Sequence, residues 1–137
     1  MKKILFLFVS TLVLGLTSCS KDDDSSSSST GLEGRWEYSQ EGAIVGGQEV
    51  LAPYEHECSS QKDYTEFLAG GVMKDYYFDT NCTQDLSQGT WTKSGNSLTV
   101  NFGGEIATAE IVTLNATTLK VKIVFSGETF IQVFTRR

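Results

Sequence analysis

The first apolar run of the chain differs in kind from every later one. Ile4 to Thr17 form 14 residues without a charge, preceded by Lys2 and Lys3 and cut short by Ser18, Cys19 and a cluster of aspartates. A membrane-spanning helix needs about 20 apolar residues. This run is shorter, and a positive start, an apolar middle and small residues before a cleavage point are the parts of a secretory signal peptide. Next comes SKDDDSSSSST, residues 20–30, with no apolar side chain at all. Such a segment buries nothing that offsets its conformational entropy and is expected to be disordered, with a reach of at most ~36–40 Å when extended. The pattern therefore predicts a leader at 1–18, a tether at 19–30 and a folded domain at 31–137.

Within that domain the apolar residues fall in short runs rich in Val, Ile, Thr, Phe and Tyr, bounded by Gly, Asn and Ser, which is the signature of strands and turns. The cleanest alternation is LKVKIVFS, where Leu119, Val121, Ile123 and Phe125 share one face and Lys120 and Lys122 the other. SLTVNF repeats the pattern with Leu98, Val100 and Phe102. The connections KSGN before Ser97, GG at 103–104, NAT at 115–117 and Gly127 are short, so successive strands should be antiparallel neighbours in a meander. Pro53 sits between two candidate strands, and no helix start is followed by a sustained 3.6-residue period, so at most a short helix is expected. The 107 residues from Gly31 suit one all-β domain with one core.

Two turns are possible at AGG, and cross-strand charges separate them. A two-residue Gly70-Gly71 turn sets Glu66 opposite Asp75, a like-charge pair that sheets avoid. A three-residue loop, Ala69 to Gly71, pairs Leu68 with Val72, Glu66 with Lys74 and Tyr64 with Tyr76. It also sets Cys58 opposite Cys82, at a separation that a disulfide accepts. Export favours that bridge, and closing its loop of about 25 residues adds roughly 3 kcal/mol in the chain-entropy model. The expectation is a hairpin stapled by its own strands.

Cleavage also changes the charge. Loss of Lys2 and Lys3 takes the 11 basic residues to 9 against 17 acidic ones, a formal net charge of −8. With no basic patch, nucleic acid is excluded as a partner, as is electrostatic binding to anionic lipid.

Leu16-Thr17-Ser18-Cys19 resembles the lipobox of bacterial lipoproteins, which implies that Cys19 becomes a lipidated N-terminus. Two or more acyl chains anchor a protein stably to a membrane. The resemblance implies an exported monomer held at the bacterial outer membrane. Ser20, Lys21 and the three aspartates that follow resemble the acidic signal that sends some Gram-negative lipoproteins to the cell surface.

GLEGRWEYS places Gly34 and Trp36 at the start of the first strand of the domain, and this resembles the Gly-x-Trp signature of the lipocalin superfamily. The closing FIQVFTRR supplies Arg136 or Arg137 for the arginine that lipocalins often lay across that tryptophan, a cation–π contact. The domain is also similar to the short lipocalin-like domains of bacterial lipoproteins. There a Cys, a Tyr/Phe-rich hairpin, a second Cys, Gly-x-Trp and a turn before xLTV follow in that order. Here these are Cys58, DYTEFLAGGVMKDYYFD, Cys82, Gly89-Thr90-Trp91 and SGNSLTV. The likeness implies a small antiparallel barrel of about eight strands. A Thr-Asp-Tyr-like second signature is absent, and there is no room for the usual long C-terminal helix. About eight strands either enclose one small molecule or are filled by side chains.

Other constellations carry little chemistry. His56 lies between Glu55 and Glu57 in YEHEC, and in an extended strand it would point away from both as an ordinary edge histidine. A catalytic zinc site wants three protein ligands. Asp75, Asp79 and Asp85 fit a solvated sheet face better than an acid–base pair. A Ser-His-Asp or Cys-His set has little to draw on, so no enzyme and no cofactor is expected. Asn81-Cys82-Thr83 and Asn115-Ala116-Thr117 match the glycosylation acceptor pattern and read as turns. Two function classes fit. One is a binding barrel for a small apolar or amphipathic ligand, lined by Leu98, Val100, Phe102, Leu119, Val121, Ile123 and Phe125. The other is a packed interaction domain that meets a protein or glycan through an outer face bearing Tyr38, Tyr64, Tyr76 and Tyr77.

Overall fold

The structure, a computed structural model, describes residues 31–137. The segments expected to be a leader and a tether, with Cys19 as the expected lipidation site, lie outside the described residues. Nine strands follow one another: β1 (Gly34–Val45), β2 (Gln48–Pro53), β3 (Tyr64–Leu68), β4 (Val72–Phe78), β5 (Gln84–Ser94), β6 (Ser97–Phe102), β7 (Glu105–Leu114), β8 (Thr118–Phe125) and β9 (Glu128–Arg136). All neighbours are antiparallel, and β9 pairs back onto β1, so the sheet closes. The described residues contain no helix.

Strand β1 shows how nine strands make an eight-stave barrel. One edge pairs with β9; the other pairs with β3 through Gly34–Glu37 and with β2 through Gln40–Val45. β2 and β3 are thus two segments of one stave, and residues 54–63 leave the wall between them. The excursion is pinned where it departs and returns: the Tyr54 N–H donates to the Ser39 carbonyl (2.9 Å) and the Tyr38 N–H to the Asp63 carbonyl (3.2 Å). Pro53 ends β2, where the chain leaves the ladder and its missing N–H removes no ladder bond.

The alternation read from the sequence places the core. Trp36, Tyr38, Phe67, Met73, Leu98, Ala109, Ile111, Leu119, Val121 and Phe134 form one buried cluster, with Trp91, Val100, Phe102 and Ile123 packed against it. A bulge between Tyr38 and Gln40 then reverses the facing of β1, so Gly42 and Ile44 turn outward. This frees the β1–β2 hairpin to coil over the outside of β9 and β8. Glu49 of β2 binds both Lys120 and Lys122 of β8 (3.2 Å to the latter). Ile131, which faces away from the main core, is sealed beneath the hairpin at 1% exposure. Gly42 pairs with both Leu51 and Ile131. A Cβ there would collide with the Val50 carbonyl oxygen.

The hairpin register is the one that the charges favour: Leu68 faces Val72, Glu66 faces Lys74, and Tyr64 stacks on Tyr76 at 4.4 Å. The ion partner of Glu66 is Arg35 of β1, at 3.0 Å. Cys58 and Cys82 are bonded, with their Cα atoms 5.0 Å apart. The bridge is not a staple between paired strands, however. β3 begins only at Tyr64 and β4 ends at Phe78, so the bond ties the 54–63 excursion to the β4–β5 turn. The register stops because Asp63 takes over: its Oδ1 accepts the Phe78 N–H at 2.8 Å, a role the carbonyl of a continuing strand would have filled. In the turn beyond, Asp79 Oδ1 accepts the N–H groups of Asn81 and Thr83. Asn115 does the same for Thr117 and Thr118, so both acceptor-like motifs are turns.

Candidate functional site

One end of the barrel is closed. Trp36 is fully buried across it, and its Nε1–H donates to the Leu32 carbonyl at 2.7 Å. The Arg136 guanidinium lies 4.0 Å above the Trp36 ring and donates to the carbonyls of Ala116 (3.1 Å), Glu33 (2.9 Å) and Gly31 (2.6 Å). Of the two candidate arginines it is therefore Arg136 that closes the barrel, while Arg137 lies over Tyr64 on the outside, 4.5 Å from its ring. Gly34 leaves space for this plug: it adopts φ +122°, and a Cβ there would sit 2.7 Å from Arg136 Nη1. Trp91 of β5 reaches over the end of β3, its Nε1–H donating to the Leu68 carbonyl at 3.0 Å.

The other end is open. Tyr77 and Asp85 are cross-strand partners, as are Asp75 and Ser87, and Met73 with Gly89, so all share the inward face. Yet Tyr77, Asp85 and Ser87 are exposed, and inward-facing Phe130 is 41% exposed. The result is a cup. Its floor holds Leu98, Leu119 and Val121; Val100, Phe102 and Ile123 stand half-buried on its wall. Phe125 does not line it. Pairing of β7 with β8 stops at Ala109–Ile123, so the tip of β8 splays away and leaves Phe125 68% exposed.

The two sides of the cup differ in chemistry. β6, β8 and β9 present Val100, Phe102, Ile123 and Phe130, whereas β1, β4 and β5 present Tyr38, Asp75, Tyr77, Ser87 and Asp85. Tyr38 donates its hydroxyl proton to Asp75 (2.9 Å to Oδ1) and lies 3.3 Å from the Tyr77 hydroxyl. The Tyr54 ring stacks on Tyr38 at 4.9 Å, and its hydroxyl donates to Asp63 Oδ2 at 3.0 Å. Burial raises the Asp75 pKa against the opposing effect of the two tyrosine hydrogen bonds. Burial, together with the charge of Asp75, lifts the Tyr77 phenol to about 12 and that of Tyr38 well above its ordinary value.

These positions correct several expectations. Asp75 is buried inside the barrel rather than solvated on a sheet face, and Tyr38 and Tyr77 point inward, leaving Tyr64 and Tyr76 on the outer face. The shared parity of Trp36 with Tyr38, and of Phe67, Met73 and Asp75 across the β3–β4 register, carried that information. His56 is not an edge histidine. It packs edge-on against Tyr54 (4.9 Å), and its Nδ1 accepts the Asp63 N–H at 3.0 Å, so any proton it carries as a neutral ring is on Nε2. Among the described residues no group of three or more His, Cys, Asp or Glu is placed to hold a metal.

Concavities also lie outside the core, among them one of about 500 Å³ along the β1–β2 hairpin and β9 and two others. One, of about 340 Å³, opens at the polar rim beside Tyr54 and Tyr77. The other, of about 1050 Å³, is a shallow groove outside the barrel where the coiled β1–β2 tip faces β7 and β8, with Ile44, Ile106 and Val124 along it.

A closed antiparallel barrel plugged at one end by a Trp–Arg pair and open at the other defines a calyx-type barrel. The model of a family described as a lipocalin-like domain matches residues 32–121, and the chain belongs to that family. Solved structures of similar fold include a lipocalin-like protein from Bacteroides uniformis (TM-score 0.60, 11% identity, covering 77% of this chain and 98% of that one). An uncharacterized protein from Bacteroides eggerthii gives 0.58 at 10% identity, covering 78% and 100%. Lobster apocrustacyanin A1 gives 0.51 at 14%, covering 85% and 66%. No curated protein matches.

Proposed function

We propose that this protein is a membrane-tethered binding module whose cup takes up a small amphipathic ligand. The observation that carries this is the pair of unlike walls at the open end. Inward-facing Val100, Phe102, Ile123 and Phe130 would otherwise be buried with the rest of the core, and they remain within reach of solvent. They face a wall of tyrosine hydroxyls and carboxylates, so a ligand with an apolar body and a polar end satisfies both. Lipidation at Cys19 and the polar tether would hold the cup within a few tens of ångströms of the outer membrane. No catalytic role is assigned to any residue.

Native mass spectrometry of the full chain, exported by a bacterial host and purified gently, tests the reading without a guess at the ligand. A discrete adduct lost on unfolding supports it, and Phe102→Asp should abolish that adduct. A bare monomer under all purification conditions would refute it and transfer the weight to an interaction role for the outer surface. The tether has its own test: Cys19→Ala should move the protein from the membrane pellet to the soluble fraction, and retention in the pellet would sink that part.

A further inference from the structure

The cavity at the polar rim has a composition that selects its occupant. Of the eight residues that line its 340 Å³, three are aromatic, five are carboxylates and none is basic. Tyr54, Tyr77 and Phe78 supply the rings. Asp63 forms part of the lining at 3% exposure, and Asp75, at 8%, lies just behind Tyr77. Buried carboxylates are ordinarily neutralised by a cation, because an isolated charge in a poorly solvated site is costly. Here that partner is missing. Among the described residues neither Asp63 nor Asp75 forms an ion pair with a lysine or arginine. His56, the near neighbour of Asp63 at 3.6 Å, offers it an Nδ1 that is already accepting a backbone N–H. The donors that reach these two carboxylates are neutral: tyrosine hydroxyls and the Phe78 amide.

We propose that this cavity is the subsite for a cationic head group, and that the ligand of the cup is an organic ammonium compound with an apolar tail. The inference rests on the binding role proposed above and names the chemistry of the ligand. Ring faces attract an alkylammonium through their quadrupoles. Carboxylates at the rim, Glu55, Glu57 and Asp85, add long-range attraction and exclude anions by the same field. The apolar wall begins across the cup from Tyr77, where a tail attached to that head would lie. A bare metal ion would not use the rings, and the described residues hold no metal-binding group.

Three probes with one tail and different heads test this by titration calorimetry on the full chain: hexyltrimethylammonium, 1-hexanol and hexanoate. The expected order is cation tightest, by about tenfold or more over the alcohol, which corresponds to about 1.4 kcal/mol, with hexanoate weakest. The triple variant Glu55→Gln, Glu57→Gln, Asp85→Asn should erase most of that preference. These three side chains are exposed and make no hydrogen bond among the described residues, so the fold is not at stake. Asp63→Asn, a deeper change, should weaken the cation further while leaving hexanol binding in place. If hexanol or hexanoate binds as tightly as the cation, or if the triple variant leaves the order intact, the cationic assignment is overturned while the binding role stands. If none of the three probes binds but the native adduct exists, the assignment is again wrong; if there is neither probe binding nor an adduct, the binding role falls with it.

Discussion

Arg136→Ala tests the closed end of the barrel, and the structure sets its size. The substitution removes a cation–π contact at 4.0 Å on a fully buried indole, worth about 1–2 kcal/mol in a desolvated setting. It also removes three hydrogen bonds from one guanidinium to main-chain carbonyls of three separate residues. Buried bonds of this charged kind reach about 1.5–3 kcal/mol each. Arg136 is only half-buried and the freed carbonyls can take water, so about 0.5–1 kcal/mol each is the fair figure. The total is about 2.5–5 kcal/mol, or a fall in Tm of roughly 10–40 °C for a domain of about this length. Urea unfolding followed by tryptophan fluorescence measures it, with Arg137→Ala as the control, which should cost no more than about 1 kcal/mol because that arginine is exposed and offers only its contact with Tyr64. Gly34→Ala should lose about as much, by displacing the same guanidinium and by straining a left-handed backbone. In the Arg136→Ala background only the backbone part of that loss should remain. A loss below about 1 kcal/mol for Arg136→Ala, or full additivity with Gly34→Ala, would refute the plug.

Reduction of Cys58–Cys82, or Cys58→Ser with Cys82→Ser, should lower stability by about 3 kcal/mol from the closed-loop length; an unchanged denaturation midpoint would remove the bridge from the account. Since burial raises the Asp75 pKa in the folded state, the folded chain binds that proton more readily than the unfolded one. Stability should therefore fall as pH rises from about 4 through the higher folded value, and Asp75→Asn should flatten this slope in urea midpoints taken across that range. At the alkaline end, the same sign applies to Tyr77: stability should drop from about pH 10 through about 12, and Tyr77→Phe should lessen the drop as followed by circular dichroism.

Strands and turns are legible because period and punctuation agree: SLTVNF alternates throughout, LKVKIVFS does so up to Val124, and the turns fall at Gly, Asn and Ser. The β3–β4 register was legible because one of two turns sets like charges opposite each other. What escaped were the places where the ladder stops. Carrying the hairpin register on to the cysteines overshoots its end, since nothing in the local pattern shows that the Asp63 side chain replaces a main-chain carbonyl at Phe78. The bulge after Tyr38 is equally silent, and it decides which way the β1–β2 hairpin coils. Residue type alone sends Asp75 to solvent, as is usual for a lone carboxylate in a strand, although the β3–β4 register puts it on the same face as Met73. Phe125 continued its strand's alternation past the point where the barrel wall does.

The polar wall sits uneasily in so small a domain. A chain of this size has about 5–15 kcal/mol of stability, and a buried carboxylate without a cationic partner works against it. Asp75 is held by the hydroxyl of Tyr38, 2.9 Å from Oδ1 and 3.1 Å from Oδ2, a contact that an amide oxygen would also accept. Packing therefore gives no reason for a charge at this position, and Asp75→Asn should leave the fold intact and raise its stability at neutral pH. The same variant should weaken hexyltrimethylammonium more than 1-hexanol, because only the charged probe senses the lost carboxylate. Stability gained together with selectivity lost is the mark of a group retained for binding. If Asp75→Asn instead destabilises the barrel and leaves the order of the probes untouched, the carboxylate serves the fold, and the cup must draw its selectivity from elsewhere.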